Sequence, residues 1–485
     1  MTRRFDLMRA TCLLALAMLT ACDRRSDSGP VAVSVIGPGL SLADSSRAPL
    51  AATQRLMLDA TAEGLVRFDA AGQIEPGIAE RWTVIDNGMS YIFRLREATW
   101  PNGTPVKATD VVTILRRQLG ASSRNTLKPF LSAIDEIIEM TPEVIEVRLN
   151  HPRPDLLKLF AQPELAVFRL NPQGGAGPFR IASNRHNHVL LRPAPDPSRS
   201  PDDDARSLGP QDDVDLIGER ASRAIVRFAD HDSDLVTGGT FIDWPLLAAS
   251  DTAQANRRVD PAAGLFGFAV VDRTGFLADA ANRAAVARAI DRGAVLGAFT
   301  NNWTPVTQIL PDQLDSAAAP TPAPWASAGI LPRDAVRAWQ GARPGPVALR
   351  VAVPAGPGAT LLYGEVGASL ILAGFAPERV AQNAPADLRL IDAVAPYDSA
   401  RWYLAVACQL CSADVEQTLE YARDADTLVL RGKYLAQADA ALAADVAFIP
   451  LARPLRWSLV SLRLKGWQGN PRAWHPLNRL RSDTN

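Results

Sequence analysis

The chain has 485 residues, 47% of them hydrophobic and 21% charged, with a formal net charge of -1. That balance is ordinary for a globular protein, and the net charge argues against a nucleic-acid partner, which would want a basic face. The length exceeds what one hydrophobic core fills and calls for two or three domains.

The first residues read as an export signal. Arg3, Arg4 and Arg9 precede an apolar run of about ten residues that ends at Leu19, half of what a bilayer-spanning helix needs. Leu19-Thr20-Ala21-Cys22 then gives way to the polar stretch Asp23 to Pro30. Small residues before a cysteine resemble the lipobox of bacterial lipoproteins, in which the leader is cut before the cysteine and its sulfur is acylated. A plain leader cut after Ala21 is the other reading. The expectation is a signal peptide over 1–21, lipid on Cys22 and a tether over 22–30. Two or three acyl chains hold a protein at a membrane where one does not, so the rest works outside the cytoplasm on a membrane face. Asp23, next to that cysteine, resembles the enteric signal for inner-membrane retention. With Cys12 in the leader and Cys22 acylated, Cys408 and Cys411 remain. In an oxidising compartment a lone Cys-x-x-Cys pair reads as a local disulfide, with a redox motif or a zinc site as the alternatives.

A strand is expected over Val31–Ile36 and a helix over residues 49–63. Asp69 to Gly72 reads as a turn. Strands over residues 80–84 and 89–95 flank Asp86-Asn87-Gly88, and an Asn-Gly pair suits a hairpin turn because both residues accept positive φ. Thr109 is placed to cap a helix with Asp110 in its first turn; Val111, Ile114, Leu115 and Leu119 then share one face. A strand pair over 134–138 and 144–149 turns through Thr141-Pro142. Gly174 to Gly177 leads into Pro178-Phe179-Arg180, a backbone turn rather than a phosphate cradle, since a strand and not a helix follows. Residues 193–214 are rich in Pro, Asp and Ser and read as an exposed loop. Later, a strand over 348–353 precedes a helix over 359–373 that Gly374 ends. His186 and His188 would share one face of a strand, which is the pattern of solvated surface histidines, and no nucleophile elbow or His-x-x-x-His pair marks an enzyme. No catalytic residue, metal site or cofactor is expected.

These pieces, in order, resemble the family 5 extracellular solute-binding proteins of bacterial ABC importers, the peptide- and nickel-binding group. The resemblance rests on Glu63-Gly64-Leu65-Val66, Pro76 to Trp82, Tyr91 to Arg96, Trp100 to Val111, Gly177-Pro178-Phe179, Asn282 to Arg292 and Ile449-Pro450-Leu451. These are turns, caps and buried aromatics. Trp82 and Trp100 read as core residues. The family resemblance implies an α/β, two-lobed periplasmic-binding-protein fold of the cluster C type, with an extra α/β domain in the first lobe. The boundaries implied are 31–62 for the first part of lobe I, 63–165 for the extra domain and 166–260 for the second part of lobe I. Lobe II then spans 261–447, and 448–485 returns to lobe I.

The resemblance also implies a receptor that binds short peptides in an interlobe cleft by hinge closure and hands them to the permease subunits of an ABC importer. It implies a monomer. In peptide-binding members a cleft aspartate after a strand pairs with the ligand's amino terminus. The corresponding stretch here is Trp402 to Asp414, which makes Asp414 the candidate carboxylate, with a helix N-cap before Val415 as its other role. Val415-Glu416-Gln417 follow where the family has an aromatic and a proline. Trp402, Tyr403 and Trp244 are the candidate cleft aromatics. A family member without transport, acting as a membrane-tethered sensor or scaffold, is the alternative function.

Overall fold

The computed structural model describes residues 29–171, 173–185, 187–194, 209–312, 314–315, 318–327, 329–342 and 345–481. The expected leader, Cys22, most of the tether, His186 and most of the loop over 193–214 lie outside the described residues. Among the described residues no helix is long and apolar enough to cross a membrane.

The first lobe is built on a seven-stranded sheet in the order Phe179–Arg185, His188–Pro193, Val214–Glu219, Val31–Ile36, Leu235–Thr240, Arg456–Val460, Arg257–Val259. Val31–Ile36 lies at its centre and pairs in parallel on both sides. A near-continuous apolar run suits a strand covered on both faces, and Val31, Val33 and Val35 on one face and Ala32 and Ser34 on the other are all buried.

The second lobe is built on a five-stranded sheet, Phe375–Ala381, Val347–Val353, Leu388–Val394, Gly264–Val270, Phe448–Ala452. Every residue of Gly264–Val270 is buried. Val347–Val353 runs parallel to Phe375–Ala381, and the helix Pro357–Leu372 connects them. Gly374, at φ 95°, makes the turn out of that helix, a conformation glycine adopts without steric cost.

The extra domain carries a four-stranded antiparallel sheet, Ala79–Ile85, Ser90–Leu95, Val144–Leu149, Ile134–Thr141. Its first hairpin turns on Asp86, Asn87 and Gly88, with φ of 52°, 55° and 88°. Tyr91, Phe93 and Leu95 alternate inward along Ser90–Leu95, and the helix Ala108–Leu119 packs Val111, Ile114 and Leu115 over the sheet. Trp100 is 1% exposed and Trp82 is half-buried, packed on the same cluster. The cap differs from the expected one. The helix starts two residues earlier, at Ala108 with Lys107 as its N-cap, and the Asp110 carboxylate accepts from the Lys107 amide at 3.3 Å. Asp110 is held there by the Trp100 indole at 3.2 Å and by Arg169 at 2.7 Å, while the Thr109 hydroxyl donates to Glu139.

The chain crosses between the lobes twice, between Val259 and Gly264 and between Ala452 and Arg456. The return falls later than residue 448, because Phe448–Ala452 pairs with Gly264–Val270 in the second sheet. One hydrophobic cluster runs from the extra domain (Phe93, Trp100, Phe160) into the second-lobe helices Ala400–Ala407, Ala413–Asp424 and Leu428–Asp445, through Trp402, Leu419 and Leu435.

Candidate functional site

The lobes meet along a seam of polar side chains. The short helix Leu156–Phe160 and the residues after it present Lys158 and Gln162, four apart and therefore on one helical face. Lys158 Nζ donates to Asp398 at 2.6 Å, and Gln162 Nε2 donates to the Pro396 carbonyl at 2.6 Å. From the C-terminal segment, Arg472 donates to the Ala395 carbonyl at 2.8 Å and to the other oxygen of Asp398. Burial works against the Asp398 charge, but hydrogen bonds from Lys158 and Arg472 overcome it and hold the carboxyl below its usual range. Three side chains, through four hydrogen bonds across the seam, thus converge on residues 395–398, the loop that leaves the strand Leu388–Val394.

The second crossing carries its own pair. Arg456, on the first sheet, donates to both oxygens of Asp392, on the second, at 2.9 and 3.1 Å. Burial pushes the Asp392 carboxyl up, and Arg456 partly restores it. At the first crossing Asp260 accepts from the Asn470 amide at 3.1 Å and pairs with His475 at 3.1 Å. Farther along, the lobes touch at backbone carbonyls. The Gly358 amide donates to the Ile242 carbonyl at 2.7 Å, and the Trp244 indole donates to the Phe299 carbonyl at 2.8 Å.

The structure does not gather the four residues read from the sequence. Trp402 and Tyr403 are 5% and 1% exposed and pack edge to face at 5.1 Å inside the core cluster. Burial pushes the Tyr403 phenol up to about 12, and the Arg453 guanidinium lies over its ring at 5.8 Å. Trp244 opens the helix Trp244–Ala248 and packs against two other clusters. Asp414 is exposed in the first turn of Ala413–Asp424, whose N-cap is Ser412 and not Asp414. Ala400–Ala407 is a helix, so the aspartate that follows a strand in this region is Asp398. Cys408 and Cys411 are joined by a disulfide with their Cα atoms 5.4 Å apart. His188 is exposed and pairs with Asp215. The seam residues Lys158, Asp398 and Arg472 were missed. Only one signal pointed to them, the Asp398-Ser399 pair between an apolar strand and the run Ala400 to Leu404.

Two sheets crossed twice by the chain, with a polar seam between them, define a two-lobed binding protein. The chain belongs to the bacterial extracellular solute-binding proteins, family 5: the profile described as "Bacterial extracellular solute-binding proteins, family 5 Middle" matches residues 73–331. A curated relative, the probable deoxycholate-binding periplasmic protein YgiS of Escherichia coli, is 44% identical over 69 residues, which cover 14% of this chain and 12% of that protein. The oligopeptide-binding protein OppA of Haemophilus influenzae is 34% identical over 85 residues, 17% of this chain and 15% of its own. The matched stretches are thus a small part of those relatives' length. Its solved complex with the peptide RPPGFSPFR superposes with a TM-score of 0.77 at 16% identity, over 93% of this chain and 99% of that one. The Escherichia coli murein tripeptide binding protein MppA superposes equally, at 0.77 and 18% identity, over 93% and 97%. At these identities the superpositions show the shared fold.

Proposed function

We propose that the protein is a lipid-anchored, extracytoplasmic solute receptor that closes its two lobes over a short peptide and delivers it, chemically unchanged, to the permease of an ABC importer. The observation that carries this reading is the seam. It brings ion pairs and carbonyl contacts, such as Lys158 on Asp398 and Gln162 on Pro396, from both lobes to one loop, beside the hydrophobic cluster that the extra domain shares with the second-lobe helices. A ligand that touches both lobes shifts such a hinge by its differential affinity for the closed form. Family membership supports the receptor role, and the peptide held by the superposed OppA and the murein tripeptide of MppA support the substrate class.

Within the seam, Asp398 is the carboxylate best placed to meet a ligand ammonium, in place of Asp414. Its side chain is 42% exposed, and it lies four residues past the end of the strand Leu388–Val394. Periplasmic location and anchoring through Cys22 rest on the leader pattern and on the family. Two measurements test the proposal. A thermal-shift series with di- to pentapeptides is expected to raise Tm, because a ligand at a hundred times its Kd adds about 2.7 kcal/mol to the folded state. Membrane fractionation of wild type and Cys22→Ala is expected to release only the variant. An unmoved Tm with every peptide removes the substrate class, and a soluble wild type removes the anchor.

A further inference from the structure

Where the extra domain meets the second lobe, Phe130, Arg153 and Asp155 from one side and Tyr397, Arg401 and Arg431 from the other enclose a pocket. Its free space is about that of one water molecule. Three guanidinium groups line it. Arg431 is 4% exposed. Its Nη1 donates to the Ala422 carbonyl at 3.2 Å, and its Nη2 donates to Ser399 Oγ at 3.2 Å and to Asp315 at 3.3 Å. Its buried Nε has no acceptor among the described residues, and neither has the buried Nε of Arg401. Arg401 otherwise donates to the Pro129 carbonyl at 3.2 Å and lies over the Phe130 ring at 5.5 Å. Arg153 donates to the Arg423 carbonyl.

The local charge does not balance. Burial and the neighbouring guanidinium groups of Arg431 and Arg401 push Arg153 down to about 10. The nearby countercharges are Asp155 and Asp315, which face each other, and Asp424, which acts on Arg401 and Arg153 but is held by both oxygens to a fourth guanidinium, that of Arg423. Burial and the facing Asp315 push Asp155 up to about 7, so near neutrality the three carboxyls carry fewer than three full negative charges against four guanidinium groups. A buried cation without a matching anion is strongly unfavourable, and a guanidinium N–H is a donor only.

We propose that this pocket binds a compact monoanion, a halide or a single carboxylate group, that completes the contact between the extra domain and the second lobe. The anion accepts from the free Nε groups of Arg401 and Arg431 and offsets the guanidinium charge. Its source is either a free ion or the carboxylate end of a bound ligand. The free-ion arm of the test needs no peptide, so its outcome is separate from that of the peptide reading.

The test uses the full chain in a halide-free buffer, with ionic strength held constant by a bulky anion, gluconate. Sodium bromide replacing gluconate is expected to raise Tm along a saturating curve, and sodium formate to do the same. The half-buried Arg401→Gln is expected to weaken the bromide response at least tenfold, with Arg431→Gln as a second variant. Crystals grown in bromide are expected to show an anomalous peak between the three guanidinium groups. A peptide acid that competes with bromide where its C-terminal amide does not assigns the site to the ligand carboxylate; two peptides that leave the response unchanged assign it to the free ion, and both results uphold the site. A Tm that is the same in bromide, formate and gluconate overturns it, as does a bromide response that survives in both variants.

Discussion

Lys158 and Asp398 meet at 2.6 Å although 240 residues separate them, one from the extra domain and one from the second lobe. The pair is part-exposed, 27% and 42%, so its direct worth is small, about 1 kcal/mol or less. Its position makes that amount count, because it is present only when the lobes are together. Lys158→Met is expected to lower Tm by only a degree or two but to enlarge the radius of gyration of the ligand-free protein in small-angle X-ray scattering. A scattering curve identical to that of wild type removes Lys158 from the closure.

Asp398 and Asp414 make opposite predictions for ligand binding. Asp398→Asn is expected to weaken peptide affinity by about tenfold, roughly 1.4 kcal/mol, since it takes the charge from the carboxylate at the seam. Asp414→Ala changes an exposed residue in the first turn of its helix and is expected to leave affinity within about twofold. Isothermal titration of both variants with one peptide decides between them. A tenfold loss in Asp414→Ala with none in Asp398→Asn restores the earlier assignment.

The hairpin at Asn87-Gly88, the strand–helix–Gly374 unit and the buried face of Ala108–Leu119 were all legible in the sequence because each is set by residues within a few positions of one another. The seam was not. Lys158, Asp398 and Arg472 come from three separate segments, and no local pattern records that they meet. The aromatic run Trp402-Tyr403-Leu404 misled for a different reason. A short apolar stretch buried on all sides has no periodicity to separate strand from helix, and here it forms Ala400–Ala407 under the core cluster. The Thr109 cap failed because Asp110 is claimed by Trp100 and Arg169, which come from outside the helix.

Asp155 makes stability depend on pH. In the unfolded chain its carboxyl titrates near 3.8, whereas burial and the facing Asp315 push it up to about 7 in the folded protein. Between those values the folded state holds a proton that the unfolded state has released. The stabilisation is therefore complete below the unfolded value and is lost as pH rises through about 7. Asp155→Asn keeps the neutral form throughout. The Tm of the variant minus that of wild type is expected to grow by a few degrees from about pH 4 to about pH 8. A constant difference across that range removes the shift.

Arg456 and Asp392 are 16% and 15% exposed at the second crossing. Removing one partner of a buried pair strands the other charge, at a cost of about 3–5 kcal/mol, whereas removing both relieves most of it. Arg456→Met is expected to lose stability on that scale in urea, and Arg456→Met with Asp392→Asn to recover at least half of the loss. Additive effects in the double variant mean the two side chains do not act as a pair.

Gly358 opens the helix Pro357–Leu372, where alanine would ordinarily gain up to about 1 kcal/mol over glycine. The surroundings reverse that sign. A Cβ at Gly358 would lie 1.9 Å from the Phe241 carbonyl oxygen and 2.8 Å from that of Ile242. Both belong to the backbone just after the strand Leu235–Thr240, and Phe241 is fully buried, so neither carbonyl yields without moving the first sheet. Gly364, in the same helix, is exposed and has no atom within 4 Å of its Cβ position. Gly358→Ala is expected to lower Tm by several degrees and to weaken closure, while Gly364→Ala leaves Tm unchanged or raises it. Because both changes alter the helix alike, the difference between them isolates the contact between the lobes. Equal melting temperatures for the two variants exclude a close approach at Gly358.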